Sequence, residues 1–141
     1  MLNEQLKLKG RLEIKINDEV VAEIDNLVVT AGKNFVASRM AGVASAVMSH
    51  MAIGTTNTAA AVGDTALAAE AARVALTSGV ASANAVTYTA TFPAGTGTGA
   101  IVEAGLLNAA SGGTLLARTV FSVINKGASD AMTITWTVTV S

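Results

Sequence analysis

MTITWTVTV, residues 132–140, alternates without a break: Ile134, Trp136, Val138 and Val140 on one side, Thr133, Thr135, Thr137 and Thr139 on the other. A period of two over this length is the pattern of a strand with one face in a core and one in water. AVTYTATF, residues 85–92, repeats it, with Val86, Tyr88, Ala90 and Phe92 opposite Thr87, Thr89 and Thr91. Between these strands lie two apolar runs, AIVEAGLL and TLLARTVF, separated by the turn-forming NAASGG. Upstream, LKLKGRLEIKI (6–16) alternates as well, placing Leu6, Leu8, Leu12, Ile14 and Ile16 against Lys7, Lys9, Arg11, Glu13 and Lys15. Asn17 and Asp18 supply a turn, and EVVAEIDNLVV returns as a second strand.

The period changes after Lys33. Val36, Met40, Val43 and Val47 recur at four, three and four residues, which predicts one short helix over 33–49 with Gly42 inside it. Met51 to Ile53 predict a short strand, and small and polar residues over 54–72 predict a long loop, with a turn of helix around TALAAEAA. The expected architecture is mainly β: a jelly-roll-like sandwich of about eight antiparallel strands with one short helix. The chain reads as a single domain, 1–141, with a charged N-terminal β arm or hairpin (1–25), the helix, the long loop and a β-rich body (73–141).

Charge is scarce and unevenly placed. Ten of the nineteen Lys, Arg, Asp and Glu residues fall within the first 25 positions, and only seven lie between Met40 and Ser141. A surface so poor in charge suits a protein that is packed against copies of itself or a partner. The net charge of −1 offers no basic patch for nucleic acid or an anionic membrane. With no cysteine, disulfides and thiolate metal sites are excluded. MLNEQLKLKG is charged and alternating, unlike a signal region, and no apolar run reaches the roughly 18 residues of a membrane span. A soluble protein made in the cytoplasm is expected.

Few residues carry candidate chemistry. Gly95, Gly97 and Gly99 are spaced G-x-G-x-G and followed by Ala100, Ile101 and Val102. They lack the Lys-Ser/Thr of a P-loop and the strand-to-helix setting of a dinucleotide fingerprint, so they read as a connection between strands. His50, the only histidine, falls at the end of the expected helix, where the macrodipole favours it. Asp64 reads as the cap of a helical turn or an Asx-turn. Glu103 and Arg118 each interrupt an apolar strand. If the two strands pair with Leu107 opposite Thr114, opposite residues sum to 221 and these two become direct cross-strand neighbours, about 5 Å apart at Cβ. A structural ion pair is the expectation, with Glu70 and Arg73 a second, local pair. No catalytic residue, cofactor site or metal site is expected.

Three segments resemble those of small structural proteins of tailed bacteriophages. They are HMAIGTTNTAAAVGDTALAAEAARV, the run from TYTATFPAGTGTGAIVEAGLLNAA to SGGTLLARTVFSVINK, and the closing TITWTVTV. The shared pattern is G-T-x-x-x-x-A-x-x-x-D-T-A-L-x-x-E before an I-x-E-A-G-L-x-N-A strand and an L-L-A-R-T-V-F strand, over about residues 49 to 140. Among such proteins the chain is most similar to capsid cement (decoration) proteins. The resemblance implies a non-enzymatic virion protein on the capsid exterior, clasping neighbouring subunits of the major capsid protein against the pressure of packaged DNA. It also implies self-association as a dimer or trimer. A tail or baseplate structural protein, or a receptor-binding module, is the alternative that the same motifs permit. The residues expected to meet the partner are Leu6, Lys7, Leu8, Lys9 and Arg11, on an arm that either adds to a neighbour's sheet edge or forms an ordinary edge strand kept soluble by charge.

Overall fold

A computed structural model describes residues 6–43 and 46–141. Residues 1–5 of the expected arm and 44–45 of the expected helix lie outside it. Nine strands and one helix are present among the described residues: β1 (Leu8–Ile16), β2 (Glu19–Val28), α1 (Thr30–Met40), β3 (His50–Gly54), β4 (Glu70–Ala75), β5 (Ser78–Ser82), β6 (Ala85–Phe92), β7 (Gly99–Leu107), β8 (Leu115–Lys126) and β9 (Met132–Val140). Every pairing is antiparallel, in the order β4-β3-β7-β8-β2-β1-β9-β6-β5. The helix is not long and apolar enough to cross a membrane.

Two features of this order make the sheet curl. The strands at its two ends, β4 and β5, are consecutive in the chain and separated only by Leu76 and Thr77, so the ends must adjoin. On the opposite side β2 pairs with β1 as far as Asn26, then leaves it and pairs with β8 through Leu27 and Val28. One strand thus belongs to both halves of the sheet. The enclosed core contains Leu12 and Ile14 of β1, Phe92 of β6, Ile101 of β7 and Ile134 and Trp136 of β9, all fully buried.

The alternating segments form strands with one wet face. In β9, Met132, Ile134, Trp136 and Val138 are buried while the threonines between them are half-buried. The runs AIVEAGLL and TLLARTVF do not alternate because β7 and the first part of β8 are buried on both faces. The inner face meets the main core. The other carries a smaller cluster of Val29, Ala52, Leu67, Leu107 and Leu115. The 55–69 segment and the start of α1 cover that second face, through the Val29 N–H on the Leu116 carbonyl (3.2 Å) and the Thr30 N–H on the Val62 carbonyl (2.7 Å). Between β1 and β2, Asn17 and Asp18 both take positive φ, 48° and 70°, in a two-residue hairpin turn.

The helix differs from the expected 33–49. It begins three residues earlier and stops at Met40, because Gly42 is a terminator and not an interior residue. Gly42 has φ 74°, its N–H bonds the Arg39 carbonyl, and the Val43 N–H bonds the Ser38 carbonyl. These two bonds make a Schellman motif, for which glycine in the left-handed region is the favoured residue. Val43 and Val47 therefore leave the apolar stripe and are exposed, as is Met40, while Phe35 and Val36 pack on the core. His50 opens β3 instead of closing the helix. TALAAEAA forms no helical turn: its last residues, from Glu70, belong to β4, and Leu67 is buried in the smaller cluster.

The N-terminal segment is no free arm from Gly10 onward. β1 lies inside the sheet, paired with β2 on one side and β9 on the other, so strand addition to a neighbour is closed to residues 10–16.

Candidate functional site

Glu103 and Arg118 meet as expected, but by a different register. The hairpin closes with Leu107 opposite Leu115, and an irregularity between Leu106 and Leu107 moves the ladder. Its cause is the 108–114 turn, where the Thr114 N–H bonds the Asn108 side-chain oxygen at 2.6 Å and the Asn108 N–H bonds the Thr114 carbonyl at 3.3 Å. Arg118 then faces Gly105, and Glu103 faces Val120. The two charges remain on one face as diagonal neighbours, still within reach for long side chains. Arg118 Nη2 lies 2.8 Å from Glu103 Oε2, with both side chains buried. A Cβ at Gly105, opposite Arg118, would meet Leu67 Cδ1 and require that side chain to shift.

The pair is part of a larger cluster. Arg118 Nη1 donates to Asp64 Oδ2 at 3.0 Å, and Nη2 also donates to the Thr58 carbonyl at 2.8 Å. The Ala69 N–H donates to Glu103 Oε1 at 3.1 Å. Asp64 additionally accepts from the Ala61 N–H at 2.9 Å, so its local turn points backwards along the chain and not forward as an Asx-turn would. One guanidinium thus binds two carboxylates and a carbonyl, all contributed or oriented by the 55–69 segment. Arginine is not deprotonated in proteins, and its planar fork suits such convergent acceptors. The cluster acts as a fastener that holds the long segment against β7 and β8. The sequence placed a second carboxylate nowhere near Glu103; Asp64 arrives through tertiary structure, 54 positions from Arg118 in the chain.

A second arginine works similarly. Arg73 makes two bonds to Glu70, at 3.0 and 2.7 Å. Residues three apart on a regular strand point to opposite faces. Here β4 is bulged: Ala72 pairs with Ile53 and Glu70 with Gly54, so Ala71 is extra and the two charges come to one side. Arg73 Nη1 also donates to the carbonyls of Ala109 and Gly112, both at 2.9 Å, bracing the turn between β7 and β8.

Two further polar features escaped sequence reasoning. Lys126, at the end of β8, is buried and donates to the carbonyls of Pro93 (3.0 Å) and Asp130 (2.7 Å). It ties the glycine turn to the β8–β9 turn. His50 Nδ1 lies 2.8 Å from the Ser49 hydroxyl, the one side-chain bond of its ring among the described residues. No local pattern revealed the Lys126 contacts, whereas Ser49 and His50 are adjacent in the chain. The glycine run itself is a turn, with Gly95, Gly97 and Gly99 at φ 84°, 71° and 140° and the Thr96 N–H on the Pro93 carbonyl.

Of the expected partner-facing residues, Arg11 is engaged on the outer face of β2, 3.1 Å from Asp25 and 3.5 Å from Glu23. Leu6, Lys7 and Lys9 are exposed and Leu8 is half-buried. Scans against protein-family models, curated proteins and solved structures each find no match.

Proposed function

We propose that this chain is a non-enzymatic virion structural protein that binds the outside of a phage capsid and cements neighbouring major capsid protein subunits. In this reading the curled sheet serves as a jelly-roll-like body and the protein self-associates on the shell. The observation that supports it most directly is β5. This strand ends the sheet order, its sequence SGVAS carries no charge, and all five residues are exposed. Free edges of soluble monomers are commonly protected by charge, proline or a covering element. An uncharged open edge suits a protein whose sheet is continued or covered by a neighbour. Binding that occurs only on the assembled shell stabilises the shell by mass action, with no chemistry required.

The test has two arms. Antibody labelling of purified particles is expected on the shell. Label at the tail tip or baseplate replaces the capsid reading with a tail structural or receptor-binding module. In the second arm, Val80→Lys places a charge on β5 without touching the core. The variant is expected to fold normally and to co-sediment poorly with undecorated shells, and full binding would remove β5 as the contact edge.

A further inference from the structure

A second surface lies at the other side of the molecule's strand order, where β1 and β2 part. Their ladder stops at Gly10 and Asn26, because β2 turns to β8. The start of β1 stays paired only with β9, as Leu8 with Val140 and Lys9 with Thr139. Lys7 and Ser141 exchange both backbone hydrogen bonds, at 2.7 and 2.8 Å. In an antiparallel ladder such bonded residues alternate with residues whose backbone groups point the other way. The N–H and C=O of Leu8 are therefore directed at the side that β2 has left.

Beside this opening, α1 and the start of β1 enclose a groove of about 570 Å³. Leu6, Leu8, Val36 and Met40 supply its apolar lining, and Leu6 and Met40 are 71% and 79% exposed. Lys7, Lys9 and Lys33 line it too, with no carboxylate among the lining residues. None of the three makes an ion pair among the described residues, whereas Asp25 in the adjoining hollow is already bound to Arg11. Asn26, which lines that hollow, has its side-chain oxygen taken by the Trp136 indole N–H at 2.7 Å, and its buried Nδ2 has no partner. The Lys7, Lys9 and Lys33 ammonium groups and Asn26 Nδ2 are therefore donors without a side-chain partner among the described residues.

We propose that this groove docks an extended segment of a partner protein in which acidic and apolar residues alternate. The segment lies beside Leu8 and continues the ladder that β2 abandons. Its apolar side chains enter between α1 and β1, and its carboxylates meet Lys7, Lys9 and Lys33. Charge complementarity selects this occupant: an apolar floor whose three ammonium groups have no ion pair among the described residues, and whose described lining holds no acid, repels a basic segment and leaves a neutral one without ionic partners. The inference does not rest on the capsid reading, since it concerns a surface remote in strand order from β5.

The probe is a fluorescein-labelled peptide of alternating glutamate and valine, titrated with the full chain and read by fluorescence anisotropy. Saturable binding is expected, at least tenfold weaker for the Lys9→Glu, Lys33→Glu double variant, whose exposed sites leave the core untouched. Raising salt from about 0.05 to about 0.5 M is expected to weaken it as screening shortens. A peptide with lysine in place of glutamate is expected not to bind, and N-methylation of alternate amides on one strand edge is expected to abolish binding. Equal binding of the lysine peptide, or no effect of the double variant, overturns the proposal. So does sedimentation that shows the protein dimerising through these same lysines, which would assign the groove to a second copy. Loss of shell binding in the β5 variant with this peptide still bound would separate the two surfaces.

Discussion

Replacing Arg118 with methionine keeps much of the side-chain volume and removes the guanidinium that unites the cluster. Glu103 is fully buried and would keep only the Ala69 N–H as a partner. Asp64, a quarter exposed, can recover water, and the Thr58 carbonyl loses its donor. Breaking a buried pair by removing one partner costs about 3–5 kcal/mol, mostly through the charge left behind. At roughly 3 °C per kcal/mol for a chain of this size, Arg118→Met should melt about 10–15 °C lower. Glu103→Gln keeps the Ala69 bond and leaves Arg118 on Asp64, so about 1–3 kcal/mol is expected. Replacing both Glu103 and Arg118 with apolar residues does not restore full stability, because Asp64 and Thr58 still lose their partner. Urea unfolding followed by the single tryptophan, Trp136, reads these losses in a double-mutant cycle, since that residue is buried at the centre of the core. A coupling of at least about 2 kcal/mol is expected between positions 103 and 118. Single losses that add to within about 0.5 kcal/mol would show that the residues do not act as one unit, and would refute the fastener.

Gly97→Ala is expected to destabilise the fold by about 1–3 kcal/mol, since alanine disfavours positive φ and overpacking strains the core. Gly97 has φ 71° and its added Cβ would lie 2.6 Å from Ile53 Cδ1, whereas Gly95 faces open space, so Gly95→Ala should melt appreciably higher than Gly97→Ala. Equal melts would refute the contact. Asp130 is held below the usual carboxylate range by the Gly127 N–H, then the Asn17 amide and the nearby Lys126 charge. The native state therefore binds this proton less tightly than the unfolded chain, so the contribution is present above the ordinary carboxylate range and lost as pH falls through it. Asp130→Asn should flatten that part of the acid limb of stability, and a carboxyl titration by NMR that places Asp130 at or above the ordinary range would contradict the assignment.

Periodicity alone determined three of the nine described strands. The alternation in β1, β6 and β9 is legible because each of these strands has one wet face, and a period of two is what such a face writes into a chain. The Asn17–Asp18 turn is similarly local, since both residues tolerate positive φ. That Glu103 and Arg118 would meet was also legible, because two charges in apolar strands need a partner, though their register was not: one turn bond from Asn108 moves the ladder by a residue or more. Helix termination was missed because Gly42 at a helical spacing reads equally as interior or end until its backbone angles are known. Tertiary structure alone decided the rest. Whether β1 is a free arm depends on β9, more than a hundred positions away, coming to lie beside it. The cluster around Arg118 depends on a segment with no regular structure folding over β7 and β8, and nothing in the local pattern of 55–69 specifies where a carboxylate will land. Side-chain alternation reports which face is wet; only packing reports what covers the other.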